Sequence, residues 1–292
     1  MTTIAPCPPL CPTDTHVWYA RPDQLTSFRE RNACQSLLSA AERERYEAFH
    51  FEQDRHTYLV AHALLRTTLS KYANRAPAAW QFVTNAHGRP SLAPGSTASI
   101  HFNLSHTAGL VACAITRLGT VGIDVEATTR TEGLLDTASH VFSPREVADL
   151  AATHPARQTD RFYDYWTLKE AYVKARGVGL SLSLQSFAYH LRPEEAPIAI
   201  QFRPSMGDDA TAWHFALWSP TPDTRAALAV WRGRGPDATL RFFEALPFGP
   251  ATEMTPTLRT SARGPNGLRA ADGKEKRQAE EQYVPDPTPC MR

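Results

Sequence analysis

No apolar run in the sequence approaches the length of a bilayer span, so no membrane-spanning helix is expected. Charge of one sign is also missing. Lys and Arg total 31, Asp and Glu 30, for a net charge of +1. No global field exists to draw in nucleic acid or an anionic membrane, and any anion site must be a local cluster. Cysteine is scarce, with five in 292 residues. Cys7 and Cys11 bracket prolines near the N-terminus, with no second pair to complete a zinc site. Cys113 lies in the apolar run 110–115 and reads as a small core residue. A disulfide framework is not expected. None of the eleven histidines stands four residues from another, which argues against a helical zinc site. Residues 1–15 are rich in proline and lack the basic-then-apolar order of a secretory signal. The expectation is a cytoplasmic protein.

What is present is an ordinary globular composition, 42% apolar, in a chain long enough for one large or two modest cores. Residues 16–20 can form a first strand. Ser39-Ala40-Ala41-Glu42 has the form of a capping box and opens a helix carrying Arg43, Arg45, Tyr46 and Phe49. A second helix follows over about 54–72, with Leu59, Val60, Ala63, Leu64 and Leu65 as its buried face. Residues 80–84 read as a strand, and His87-Gly88-Arg89-Pro90 as a turn. Residues 98–104 form a strand ending at Ser105-His106. No Gly-x-Ser-x-Gly elbow accompanies that serine, so a nucleophilic role is disfavoured. Runs 109–116 and 120–126 flank Leu118-Gly119, a hairpin signal. Ser143-Pro144-Arg145-Glu146 caps another helix, closed by His154-Pro155. Strand-like runs follow at 187–191, 198–202, 213–218, 226–231 and 240–243. From about Gly249 the chain is Pro, Gly, Thr and mixed charge, and 249–292 is expected to be a disordered tail.

Two stretches carry possible chemistry. A helix is expected over about 161–176, capped by Thr159 or Asp160 and ended by Gly177. Trp166, Glu170 and Lys174 recur every fourth residue on it and share a face; Lys169 lies beside them. The plain reading is a surface Glu-to-Lys pair worth about 0.3–0.5 kcal/mol. The second stretch, Val121-Gly122-Ile123-Asp124-Val125-Glu126, reads as a strand with both carboxylates on one face. Two acids on an apolar strand are costly to desolvate unless a cation meets them, and Mg²⁺ suits carboxylate and phosphate oxygens. An edge strand with a wet face is the alternative.

Taken in order, Asn-Leu-Ser-His (103–106), Gly-Ile-Asp-Val-Glu (122–126), Trp-x-x-Lys-Glu-Ala-x-x-Lys (166–174) and Gly-x-Gly-Leu (177–180) resemble the 4′-phosphopantetheinyl transferases. Length and spacing resemble the larger, monomeric Sfp-type branch, over about residues 18 to 245. The resemblance implies an α+β fold of two similar halves arranged as a pseudo-dimer, with the site at the seam. The halves would be 16–119 and 120–248, after a flexible leader 1–15. It implies transfer of the phosphopantetheine arm of coenzyme A to a serine of an apo acyl or peptidyl carrier protein, as a holo-[acyl-carrier-protein] synthase does. Adenosine 3′,5′-bisphosphate would be released. Asp124, Glu126 and Glu170 would hold Mg²⁺, and Glu170, or a metal-bound water it orients, would take the serine proton. Lys174 and His106 would neutralise phosphate charge. Arg43, Arg45, His56, Arg89, Ser105 and Lys169 fall at or near positions that hold the cofactor, with Lys169 equally readable as a structural ion pair. Glu42 stands where the family often has lysine. No nucleic acid or membrane partner is implied. A coenzyme A pyrophosphate hydrolase and a non-catalytic coenzyme A- or carrier-binding module remain the alternatives.

Overall fold

The computed structural model describes residues 8–95, 99–193 and 196–261. The first half runs β1 (Asp14–Ala20), α1 (Phe28–Gln35), α2 (Ala40–Ala48), α3 (Glu52–Tyr72), β2 (Phe82–Thr84), β3 (Pro90–Leu92), β4 (His101–Thr107) and β5 (Leu110–Thr116). The second half repeats the plan. It runs β6 (Val121–Ala127), α4 (Leu134–Val141), α5 (Pro144–Ala151), α6 (Pro155–Arg176), β7 (Phe187–His190), β8 (Ala199–Phe202), β9 (Trp213–Trp218) and β10 (Thr224–Trp231). In the first half the strands lie in the order β1-β5-β4, and in the second β6-β10-β9, all antiparallel. Each half also carries one long helix and one small two-stranded hairpin, β2-β3 or β7-β8. This is the internal duplication that the pseudo-dimer expectation describes, in an α+β fold.

The alternation of side chains explains the layering. Val17 and Tyr19 of β1 face one core, while Trp18 and Ala20 face another. Leu110, Ala112 and Ala114 of β5 divide from Val111, Cys113 and Ile115 in the same way. The central core joins the inner faces of the two sheets, through Val17, Ala112, Ile123, Val125, Trp218 and Leu228. The outer face of one sheet packs on α3, and that of the other on α6. Strands covered on both faces must be apolar throughout, which is why β5 is buried at every position. Val121, Ile123 and Val125 of β6 point to the central core, so Gly122, Asp124 and Glu126 point toward α6.

Several sequence expectations are corrected. The leader is shorter than 1–15: β1 begins at Asp14 and Leu10 is buried in the first core, while residues 1–7 lie outside the described residues. The expected disordered tail starts too early. After β11 (Thr239–Glu244), β12 (Thr252–Met254) pairs with it, and β13 (Arg259–Thr260) pairs with β9; residues 262–292 lie outside the described residues. The second half does not keep all of its own chain, because β11 crosses back to pair in parallel with β1. Leu118-Gly119 is not a hairpin. Both edges of β5 are taken, by β1 and β4, so the chain passes into the other sheet. Helix α6 starts at Pro155, not 161. Proline is suited to a first helical position, and the His154 ring accepts the N–H of Ala156. Among the described residues, no helix is long and apolar enough to cross a membrane.

Gly122 fixes how closely β6 meets α6. A Cβ there would lie 2.0 Å from the Ala171 carbonyl oxygen and 2.4 Å from the Ala175 nitrogen, both backbone atoms that cannot turn aside. Gly122→Ala is therefore expected to destabilise the fold by an amount at or above the upper end of about 1–3 kcal/mol. Thermal unfolding measures it, and an unchanged melting temperature would mean that strand and helix are not this close.

Candidate active site

The site is built where the halves meet. β6 is an edge strand of its sheet, and β4 is an edge strand of the other. Asn103, Ser105 and Thr107 share one face of β4 and act as side-chain acceptors for β6. Asn103 Oδ1 accepts the N–H of Ile123 at 2.9 Å, Ser105 Oγ that of Val125 at 3.2 Å, and Thr107 Oγ1 that of Ala127 at 3.0 Å. The ladder satisfies backbone donors that would otherwise be buried and unpaired. It also brings Ser105 against Asp124.

Asp124 is 3% exposed. Its Oδ1 accepts from Ser105 Oγ at 3.1 Å and from Lys174 Nζ at 2.5 Å. Lys174 also donates to Ser105 Oγ at 3.0 Å. The other oxygen, Asp124 Oδ2, is buried and has no hydrogen-bond partner among the described residues. An orphaned carboxylate oxygen is costly, and a bound cation would relieve it. Burial above all, then the Asp124 charge, pushes the Glu126 carboxyl up to about 7, while the side chain of Trp166 hydrogen-bonds to it. Burial first and Asp124 second also raise the pKa of Glu170. Three carboxylates thus crowd one region with Lys174 as their nearest cation. The residues fit a divalent cation in charge and donor type. Among the described residues, however, no three His, Cys, Asp or Glu side chains are gathered into a ready-made metal cage.

Glu170 and Lys174 line a cleft of about 290 Å³ together with Arg89, Asn103, Leu104, Val173 and Gly177. Arg89 reaches it from the β2–β3 turn and donates to the Val121 carbonyl at 3.0 Å; its Nε is buried and has no partner among the described residues. Asn85 holds that turn. Its Oδ1 accepts the N–H groups of His87 and Arg89, and its Nδ2 donates to the Gly177 carbonyl at 2.6 Å. His106 follows Ser105 on β4. Burial, then the Lys174 ammonium, hold its ring below the ordinary imidazole range, and His62 and Asp54 of α3 also act on it.

The structure separates the sequence-derived candidates. It gathers Asp124, Glu126, Glu170, Lys174, Ser105 and Arg89 around the seam. Arg43 and Arg45 are exposed on α2, where Arg43 donates to the Gln35 carbonyl at 2.9 Å. His56 Nε2 lies 2.7 Å from the Pro22 carbonyl. Glu42 is occupied in the interior of the first half, 2.6 Å from Arg66 and 3.0 Å from His62. Lys169 is corrected outright as a cofactor residue. Adjacent helix positions are turned by about 100°, and that rotation takes Lys169 away from Glu170 into the core. There it meets Glu146 at 2.8 Å, both side chains wholly buried. Asn85, Asn103 and Gly122 were not singled out in the sequence. Asn103 and Gly122 stood inside quoted motifs without a role of their own, and Asn85 carried a local signal as an Asn opening a turn with glycine.

The raised Glu126 carboxyl has a measurable consequence. The folded protein holds a proton up to about pH 7 that an unfolded chain releases near 4.5. The stability this contributes is full below about 4.5 and lost as pH rises through about 7. In chelator, the melting temperature should fall from pH 5 to 8, and Glu126→Gln should flatten the fall. An equal fall in the variant would assign it to another group.

Comparison with known proteins gives one answer for both halves. Residues 120–230 match the family model described as the 4′-phosphopantetheinyl transferase superfamily, and residues 26–117 match 4′-phosphopantetheinyl transferase, N-terminal. A 4′-phosphopantetheinyl transferase of Bacillus subtilis is 36% identical over 172 residues, covering 59% of this chain and 75% of that protein. The 4′-phosphopantetheinyl transferase HetI of Nostoc sp. is 32% identical over 232 residues, covering 78% and 93%. A phosphopantetheinyl transferase of Thraustochytrium sp. is 34% identical over 248 residues, covering 76% and 85%.

Proposed function

The chain belongs to the 4′-phosphopantetheinyl transferase superfamily, and from that membership and its seam we propose that it moves the 4′-phosphopantetheine arm of coenzyme A onto a carrier-protein serine. The observation that carries this reading is the facing pair β6 and α6. It sets Asp124 and Glu126 of β6 near Glu170 and Lys174 of α6, and Glu170 and Lys174 line one cleft with Arg89. The serine oxygen attacks the β-phosphorus of the pyrophosphate. The bond to the bridging oxygen breaks, and adenosine 3′,5′-bisphosphate leaves. Little covalent work falls to the protein, whose task is positioning and charge.

Glu170 is the general base for the serine proton, and its raised pKa suits that work. Arg89 grips phosphate with a guanidinium suited to bidentate contact. Lys174 leaves Asp124 to meet the phosphates, and His106 adds a donor at the cleft edge. Arg43 and Arg45 supply positive charge from α2 for the outer phosphate. Asp124, Glu126 and Glu170 would hold Mg²⁺, which when bound supplies the charge that lets three carboxylates face a pyrophosphate. Because both walls of the cleft come from one chain, the protein works as a monomer.

The test is mass spectrometry of several apo acyl and peptidyl carriers incubated with the protein, coenzyme A and Mg²⁺. The expected product is a carrier heavier by one phosphopantetheine. Turnover of coenzyme A to free phosphopantetheine without a carrier would make the protein a hydrolase. Binding without turnover would make it a non-catalytic module.

A further inference from the structure

The hairpin that carries Arg89 sits on its own half through its strands, where Phe82 and Leu92 pack on the first core and Phe82 meets Phe102, but its turn reaches across the seam. Among the described residues β2 and β3 pair only with each other, as a two-stranded sheet. A hairpin of this size has little stability of its own. The packing on the first core fixes the strands, while the far end, the turn itself, is held by tethers that run to the other half of the molecule. Arg89 donates to the Val121 carbonyl on β6. Asn85 Nδ2 donates to the carbonyl of Gly177, the left-handed residue that ends α6. Carbonyls at a helix end have no partner within the helix and carry the negative end of its dipole, so they bind donors well.

We propose that Asn85 is a positioning residue for the transfer: it ties the phosphate-gripping turn of one half to the catalytic helix of the other. It thereby sets where Arg89 stands relative to Glu170 and Lys174. This rests on the reading of Arg89 as a phosphate ligand given above.

The chemistry of the side chain supports the assignment. Asn85 Oδ1 accepts two turn N–H groups at 2.9 Å each, and its amide nitrogen is committed to Gly177 at 2.6 Å. Asn85 thus spends both ends on the scaffold, and it acts on the ligand only through Arg89. The fit against α6 is close. A Cβ on Gly177 would lie 2.8 Å from Arg89 Cδ and 3.2 Å from Asn85 Nδ2, so both side chains would have to shift to admit one. A displacement of about 1 Å at a positioning group costs on the order of 100-fold in rate, which makes such a tie worth keeping.

Serine separates the two jobs of Asn85. Asn85→Ser keeps an acceptor for the turn N–H groups but is too short to reach Gly177, and it adds no charge. Asn85→Ala removes both. The full-length protein and its Asn85→Ala, Asn85→Ser, Arg89→Ala and Asn85→Ala/Arg89→Ala variants are compared. Coenzyme A affinity is read by calorimetry, kcat with an apo-carrier, and amide exchange at His87 and Arg89. Both Asn85 variants should weaken coenzyme A binding roughly tenfold or more, with a smaller loss in kcat. The double variant should bind no worse than Arg89→Ala alone. Exchange at His87 and Arg89 should quicken in Asn85→Ala and stay slow in Asn85→Ser. Wild-type affinity in Asn85→Ser would reduce the residue to a turn former, and additive losses in the double variant would uncouple it from Arg89; either result overturns the proposal. A lowered melting temperature with unchanged affinity overturns it too. If the unsubstituted protein binds coenzyme A but modifies no carrier, the transfer reading fails, while the affinities still decide the tie.

Discussion

Glu170→Gln is expected to lower carrier modification by about 10²–10⁴-fold with the melting temperature unchanged or slightly raised. The substitution keeps shape and removes a base. It also removes a negative charge from a region where Asp124 already pushes the Glu170 carboxyl up, which is why stability should not fall. Lys174→Ala removes a different thing. The charge-assisted contact to phosphate is worth about 1.5–3 kcal/mol, roughly a 10- to 150-fold loss in catalytic efficiency. Lys174 also holds Asp124 at 2.5 Å. Its loss leaves that buried carboxylate with Ser105 alone, so Lys174→Ala should destabilise the protein in chelator and regain stability with Mg²⁺. The ordering is the test, read as carrier modification rates and melting curves with and without Mg²⁺. Glu170→Gln should be the worse in activity, and Lys174→Ala the worse in metal-free stability. Equal, small effects on both measures would return the helix face to a surface ion pair.

The parts of this site that are local in sequence were legible, and the parts made by long-range contact were not. Helix α6 announces the shared face of Trp166, Glu170 and Lys174 by their spacing, and its end through a glycine that does adopt the left-handed conformation, φ 65°. The strand alternation of β6 sends Asp124 and Glu126 to one side, as a period of two requires. The capping boxes at Ser39 and Ser143 both form. Helix α1 escaped notice because only Cys34 of its residues is buried, so it has no apolar stripe to read. Helix α4 begins on Gly133 with no side-chain cap. β12 and β13 are short and lie on exposed or half-buried chain, and they are strands only because β11 and β9 offer them edges. Asn85 looks like any turn residue until the turn meets the carbonyl of Gly177 at the end of α6, 92 residues further along the chain. The same holds for Glu42, whose partners on α3 are invisible from its own helix.

Lys169 shows how a helix position can sit beside the chemistry in sequence and outside it in space. Replacing it with Met or Ala is expected to cost about 3–5 kcal/mol, the usual penalty for breaking a buried ion pair from one side. The reason is what remains behind. Glu146 is wholly buried, and although Ser143 and Tyr189 donate to it, its charge is met by Lys169 at 2.8 Å. The carbonyls of Leu184 and Phe187 lose their ammonium donor as well, at 2.7 and 2.8 Å, and the contact with the Phe187 ring goes too. Removing Glu146 together with Lys169 should not restore stability, because Glu146 also completes the cap of α5 and accepts the N–H of Tyr189. At about 2–4 °C per kcal/mol for a chain of this size, the melting temperature should drop by on the order of 10 °C. Assayed well below that point, the variant should keep its coenzyme A affinity and most of its kcat, since α6 presents Glu170 and Lys174 on another face. A variant that melts like the unsubstituted protein but loses coenzyme A binding would put Lys169 in the cleft after all.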